Sequence, residues 1–350
     1  MKYSSLQTLT PPLRRTVPLF CTLFLFVMTI TGSGFASTLD LNVDGEPLPL
    51  AVGSSGTQII TVTNTGDPAT ASVILTYYTP TFCNLTTTQP TLPPGVTSSV
   101  LYTNTNRFIP SVIQYTITAA ALNASGSINV PVGLTVPSGT PQTPSMVTAA
   151  SVTVYPIAGG GDTEANEQDN INSPAVPIEG ASPGTVSSSS PALFLVPSTG
   201  TAYSDNSTTS TTGSVIFIVG DDKNAGPTTQ PFGLVFFLPP YIRYTASDSL
   251  TSCSVLFPSS SNTDLTLEQI VSCTNSTLLP ANSSCLLSLL GICIIPNLSP
   301  PTATVTIKVT GHPGAIVGLQ QADSAVFTTG SDVDQELYTN VSSISLVVPH

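Results

Sequence analysis

The chain has no tryptophan, two histidines (His312 and His350) and very little charge. Charged residues are 7% of its 350 residues, against ~25% in an ordinary soluble domain. Only seven are basic, and Lys2, Arg14 and Arg15 stand in the first fifteen positions. Beyond them, Arg107, Lys223, Arg243 and Lys308 face nineteen acidic residues. Four scattered cations cannot form a basic patch, which excludes nucleic acid and adsorption to an anionic membrane as expected partners. A histidine base would have to be His312 or His350, and His350 is the last residue. Low charge does not imply disorder here, because 40% of the residues are apolar and can build a core.

What is present begins with a leader. Basic residues precede an apolar run of 14, Val17 to Ile30, followed by small residues ending Gly34-Phe35-Ala36. The run is shorter than the ~20 residues that cross a bilayer, and the order matches a secretory signal. Residues 1–36 are therefore expected to be a signal peptide cut after Ala36. No later apolar run reaches bilayer length, so the mature chain is expected to carry no membrane span. Medium, cell surface or periplasm is its expected location.

Cysteine usage agrees with export. Cys83, Cys253, Cys273, Cys285 and Cys293 remain after the leader. They contain no C-x-x-C pair and have no nearby histidine, which disfavours zinc. Disulfides are the better reading in an oxidising compartment. Cys253–Cys273 and Cys285–Cys293 are the simplest pairs, with other connectivities open. Cys83, flanked by Phe82 and Leu85, is expected to be a buried free thiol.

Beyond Ser37 the pattern is that of strands. Ala303 to Thr310 alternates apolar and polar without a fault, placing Ala303, Val305, Ile307 and Val309 on a core face. Ile60 to Thr63 and Ser343 to Leu346 do the same. Val215 to Val219 and Leu234 to Leu238 are continuously apolar, as strands covered on both faces would be. Turn residues recur between them at sandwich spacing, and thirty-two prolines leave little room for a long helix. The predicted class is all-β: tandem immunoglobulin-like antiparallel β-sandwiches. Pro137 to Ser145 reads as a linker. The expected domains are a sandwich over 38–136, a linker over 137–147, and a larger sandwich over 148–350. The second is enlarged by an acidic, then Ser/Pro-rich exposed insertion at about 158–190.

Two segments are alike: Gly56 to Gly66 with the strand after it, and Gly213 to Gly226 with the strand after it. Each reads strand, Asn-x-Gly turn, strand, and the Asn and Gly are assigned there for their tolerance of positive φ. The second unit continues through Leu238-Pro239, Cys253, Cys273, Leu279-Pro280, Val305 to Val309 and Ser331 to Glu336. This order resembles the immunoglobulin-like repeat of bacterial surface and secreted proteins known as domain of unknown function eleven. The resemblance covers 190–348, and 38–136 through Asn64-x-Gly66 and Pro94-Gly95. It departs in Asn282, where Gly is usual, and in the extra Cys285/Cys293 pair. It implies a surface or structural setting and no enzymatic activity.

No catalytic constellation emerges. Gly180-Ala-Ser-Pro-Gly184 spells G-x-S-x-G, but a Ser/Pro-rich stretch follows where a nucleophile elbow needs a helix. No cofactor is expected, with weak calcium the one ion the residues could hold. Asp332, Asp334 and Glu336 are its candidate ligands, with Asp221-Asp222 and the run Asp162, Glu164, Glu167, Asp169 as similar clusters at turns. Sequons occur at Asn84, Asn123, Asn206, Asn275, Asn282, Asn297 and Asn340. The reading is a non-enzymatic exported surface, matrix or adhesion module, with an extracellular protein or glycan as partner. The alternative is a carbohydrate-binding or other accessory module, using Tyr77, Tyr78, Tyr102, Tyr241 and Tyr244 as platforms.

Overall fold

In the computed structural model, residues 37–348 are described apart from 105, 139–145, 180–191, 198–199, 202–210, 222–225, 281–284, 290–291, 297–300, 313–317 and 330–340. The leader, the G-x-S-x-G stretch and Asp332, Asp334 and Glu336 lie outside the described residues. The fold is all-β, and Ser37–His350 is one compact unit containing two sandwiches.

In the first sandwich, one sheet runs Leu41–Gly45, Ser55–Asn64, Ser127–Thr135, Asn84–Leu85. The facing sheet runs Ile171–Asn172, Ser151–Pro156, Val73–Tyr78, Val112–Ile117, Val96–Tyr102. Alternation fills the space between them: Ile60, Val62, Val130 and Val132 from one side meet Val73, Leu75, Ile113 and Val154 from the other, all buried. Tyr77 also faces this core, and its hydroxyl donates across it to Gln58 Oε1.

The strand pairing departs from the expected boundary at 137–147. Ser151–Pro156 pairs antiparallel with Val73–Tyr78, and Ala175–Glu179 pairs parallel with Leu50–Ala51. Thus the chain re-enters the first sandwich after the supposed linker, and the break between the sandwiches falls after Glu179. Residues 163–179, expected in an exposed insertion, instead form short strands whose Val176 and Ile178 are buried in the first core. Their polar composition hid this, because much of what they contribute is backbone hydrogen bonding.

The Asn64-x-Gly66 turn is also built differently from expectation. Gly66 does not take a positive φ. It is required because a Cβ there would lie 2.6 Å from both Asp40 N and Thr38 O of the chain crossing it. Asn64 fixes that crossing: Oδ1 accepts from Asp40 N and Gly66 N, and Nδ2 donates to Asp67 O. Among the described residues one short helix, Ala119–Ser125, is capped by Thr118 Oγ1, which accepts from Ala121 N, and ends at Gly126 with φ 67°.

In the second sandwich, ten described strands form one sheet that folds over on itself. Thr211–Asp221 pairs along its length with Thr302–Gly311, which also carries Ile242–Ser247. The other half runs Val341–Val348, Gly318–Thr328, Phe232–Leu238, Gln269–Asn275, Thr251–Phe257. Ala303, Val305, Ile307 and Val309 face the core as their alternation requires. Phe217 and Phe236 meet across it with ring centroids 5.3 Å apart.

Phe232–Leu238 is buried at every position. Phe232, Leu234, Phe236 and Leu238 point into the second core. Val235 and Phe237 point the other way, into a third apolar cluster with Tyr78, Ile109 and Val112 of the first sandwich. A strand apolar throughout is what a sheet with a packed layer on each face demands.

Candidate functional site: the seam and the acidic strap

Two adjoining features gather most of the polar chemistry. The first is the seam between the sandwiches. Its apolar part joins Tyr78, Ile109 and Val112 to Val235, Phe237, Phe257, Leu267 and Ile270. Tyr78 and Phe257 pack edge to face at 6.1 Å, and Phe108 stacks on Phe327 at 4.9 Å. Phe327 lies over Gly233 of the neighbouring strand, where a Cβ would come within 2.3 Å of its ring.

The polar part centres on Glu268. The Tyr78 hydroxyl accepts from Glu268 N at 2.8 Å and donates to Glu268 O at 3.5 Å, while Ser151 Oγ donates to Glu268 Oε1. Burial pushes the Tyr78 hydroxyl well above its usual range, with the Glu268 charge adding to the effect. Arg243 donates to the carbonyls of Ile242, Asp264 and Leu267, locking the 264–267 turn. Burial lowers its pKa, while Tyr78, Asp264 and Glu268 oppose the fall. Tyr241, with φ 64°, turns the chain here and accepts through its carbonyl from His312 N. Burial and then the Arg243 charge hold the His312 imidazole below its ordinary value, favouring the neutral form.

The second feature is the strap over 162–170. It runs along the open edge of the Thr38–Val43 segment and crosses to the edge of Ser151–Pro156. Asp162 accepts from Thr70 N, Thr70 Oγ1 and Ala71 N. Ala165 N donates to Leu39 O, Val43 N to Asp169 O, and Val154 N to Asn170 O. Between them, Leu41 N donates to the Glu164 carboxylate at 3.0 Å, a side chain standing in for a strand carbonyl.

The cysteines sort as expected where they are described. Cys253 and Cys273 face each other on adjacent antiparallel strands and form a disulfide with Cα atoms 4.0 Å apart. Cys83 is a buried free thiol, and burial pushes its pKa up to about 12, far from a reactive thiolate. Cys285 and Cys293 fall on a two-stranded sheet whose backbone alone is described, with Cys293 opposite Ser288, so their pairing lies outside the described residues. Among the tyrosines read as platforms, Tyr77 and Tyr78 are core residues at 0% and 1% exposure and cannot stack on a ligand. Tyr241 and Tyr244 are half-buried against the second core, and Tyr102 packs on Phe257.

Among the sequons, Asn275 is buried with its amide donating to Thr251 Oγ1. Asn123 is exposed but its amide both donates to and accepts from Ala69. Asn84 is half-buried in a short strand. Among the described residues no three acid, histidine or cysteine side chains converge as a metal group, and no helix is long and apolar enough to cross a membrane.

No protein-family model and no curated protein matches the chain. Among solved structures it is similar to a protein of unknown function from Porphyromonas gingivalis W83, at 10% identity and TM-score 0.24, covering 87% of this chain and 97% of that one. It is also similar to a type I cohesin–dockerin complex of Clostridium thermocellum, at 11% identity and TM-score 0.26, covering 42% and 98%. The third ScaB cohesin of R. flavefaciens, bound to a dockerin, gives 14% identity and TM-score 0.24 over 41% and 98%. Likenesses at these scores carry no inference about what this chain does.

Proposed function

We propose that the mature chain is a non-enzymatic, exported binding module of the surface, matrix or adhesion kind, engaging an extracellular protein. The observation that carries this reading is the seam. Two sandwiches joined through an apolar cluster and the Tyr78–Glu268–Ser151 bonds form one compact unit, which suits load-bearing or presentation of a fixed surface. The Cys253–Cys273 disulfide supports an oxidising compartment. The burial of Tyr77 and Tyr78 weighs against the carbohydrate-binding alternative.

Fractionation of the producing cells tests the reading. The chain is expected in the medium, envelope or periplasm, beginning at or near Ser37, with no saturable binding to a glycan panel. Recovery from the cytosol with Met1 to Ala36 retained would remove the export argument, and saturable glycan binding would favour the alternative.

A further inference from the structure

The strap over 162–170 bulges between two fixed feet. At one, Ala165 N and the Glu164 carboxylate are bound to Leu39 O and Leu41 N; at the other, Asp169 O is bound to Val43 N. Glu164 and Asp169 are thereby held against amides two residues apart on one strand edge, and Asn170 follows at once, its carbonyl bound to Val154 N.

The polar atoms left over at these feet are all buried. Glu164 Oε1 takes donors from Leu41 N, Ala165 N and Asn166 N, at 3.0, 3.1 and 3.4 Å. Glu164 Oε2 takes none, and neither does Asp169 Oδ1. Asn170 is 0% exposed. Its amide lies close enough to the Glu164 carboxylate to favour the charged form, yet neither its oxygen nor its nitrogen is aligned in a hydrogen bond within the protein. Tyr155, 6% exposed, also has an unpaired hydroxyl, within the field of Glu164 and Glu167. Natively buried polar groups are nearly always paired, so a cluster of orphans within seven residues calls for a partner, an ion or an ordered water.

Apart from the Asn170 amide nitrogen and the Tyr155 hydroxyl, the orphans are acceptor oxygens, two of them on carboxylates, which suits a cation. We propose that the strap binds a hard divalent cation, calcium by its ligand chemistry, through Glu164 Oε2, Asp169 Oδ1 and the Asn170 amide oxygen. Calcium accepts carboxylate, amide and backbone carbonyl oxygens with water in a flexible shell, whereas magnesium demands a stricter octahedron and gives up water reluctantly. Cysteine and histidine, which would favour zinc, are absent from the strap. Two carboxylates, one already sharing its charge with backbone amides, place the site in the weak class of extracellular modules, with Kd ~10⁻⁴–10⁻³ M. Burial raises the proton affinity of Glu164, and burial with the Glu164 charge raises that of Glu167, a bias a bound cation would reverse.

Terbium luminescence on the mature chain is the test. The chain has no tryptophan, so its tyrosines are the sensitisers, and Tyr155 stands beside the strap. Saturable, tyrosine-sensitised terbium emission is expected, displaced by calcium in the millimolar range and not by equal magnesium. Asp169→Asn and Glu164→Gln keep the hydrogen-bonding shape and should each weaken binding about tenfold or more. Tyr155→Phe should cut emission while leaving the calcium concentration needed for protection against thermal unfolding unchanged, so it decides the matter even if a carboxylate variant fails to fold. The triple change Asp332→Asn, Asp334→Asn, Glu336→Gln should leave emission intact. Emission that calcium does not displace, that survives both Asp169→Asn and Tyr155→Phe, or that disappears only with the triple change would overturn the assignment.

Discussion

The two sandwiches solve the same problem by different means. The second is built from long strands, up to the 11 residues of Thr211–Asp221, joined in one sheet that closes over its core and carries a disulfide near one edge. The first is assembled from shorter pieces in separate sheets, and its open edge is finished by a strap of carboxylates and backbone amides arriving from far along the chain. Its described cysteine, Cys83, is unbridged. The contrast shows that closure is obtained either by continuous pairing and a covalent link, or by late docking of a polar segment.

The largest expected effect comes from breaking the late docking. A fragment of residues 37–136 lacks the Ser151–Pro156 and Ala175–Glu179 strands, so Val73, Leu75 and Tyr77 lose their neighbours on one edge. It should show no cooperative thermal transition by circular dichroism, while the whole mature chain melts cooperatively. A sharp transition in the fragment would restore the boundary at 137–147.

Next is the covalent link. Reduction, or Cys253→Ser with Cys273→Ser, opens a loop of 20 residues and should cost roughly 3 kcal/mol in denaturant unfolding. The loss should fall on the second sandwich, with amide exchange in 55–64 and 127–135 changing least.

A smaller effect is expected at the seam. Tyr78→Phe removes the acceptor of the buried Glu268 amide and should cost about 1–3 kcal/mol. Calorimetry should then resolve two transitions where the native chain gives one, because the link between the bodies is weakened before either core.

The smallest effect is electrostatic and has two signs within one strap. Burial opposes the Asp162 charge, but hydrogen bonds from Thr70, Ala71 and Ser37 outweigh it and hold its pKa below the usual value. Its contribution is present above the unfolded pKa and is lost as pH falls through the lower folded one. Glu164 and Glu167 are raised, so each disfavours the folded state at neutral pH, and that penalty is relieved as pH falls through their folded pKa values. Asp162→Asn should flatten the acid-side loss, and Glu167→Gln should flatten the opposing gain, both read from denaturation midpoints across the carboxylate range.

How much of this was legible beforehand varied with the kind of interaction. The fault-free alternation of Ala303 to Thr310 gave its buried face directly, because hydrophobic burial writes a period of two. The unbroken run Leu234 to Leu238 announced cover on both faces, though not that the second cover was the other sandwich. The spacing of Cys253 and Cys273 around a polar turn made theirs the simplest of several open pairings, and the register that brings them face to face settled it. The acidic run of the strap was legible, but its docking was not, since Thr163-Glu164 and Ile171-Asn172 are too short for any periodicity and dock through backbone and carboxylate groups that hydropathy ignores. Tyr77 and Tyr78 looked like surface platforms for the same reason: sequence names the ring but not the layer above it.

The strap has a consequence for the order in which the molecule is made. The Leu41 amide bonds to a carboxylate 123 residues downstream. A chain emerging from its amino end therefore carries an unfinished sheet edge for the 123 residues that separate the two groups. The first sandwich, though first to appear, cannot close until Glu179 is free, and such long-range closure is slow. Delay of this kind leaves an open strand edge exposed, which makes the interval before closure the time when mispairing is most to be guarded against.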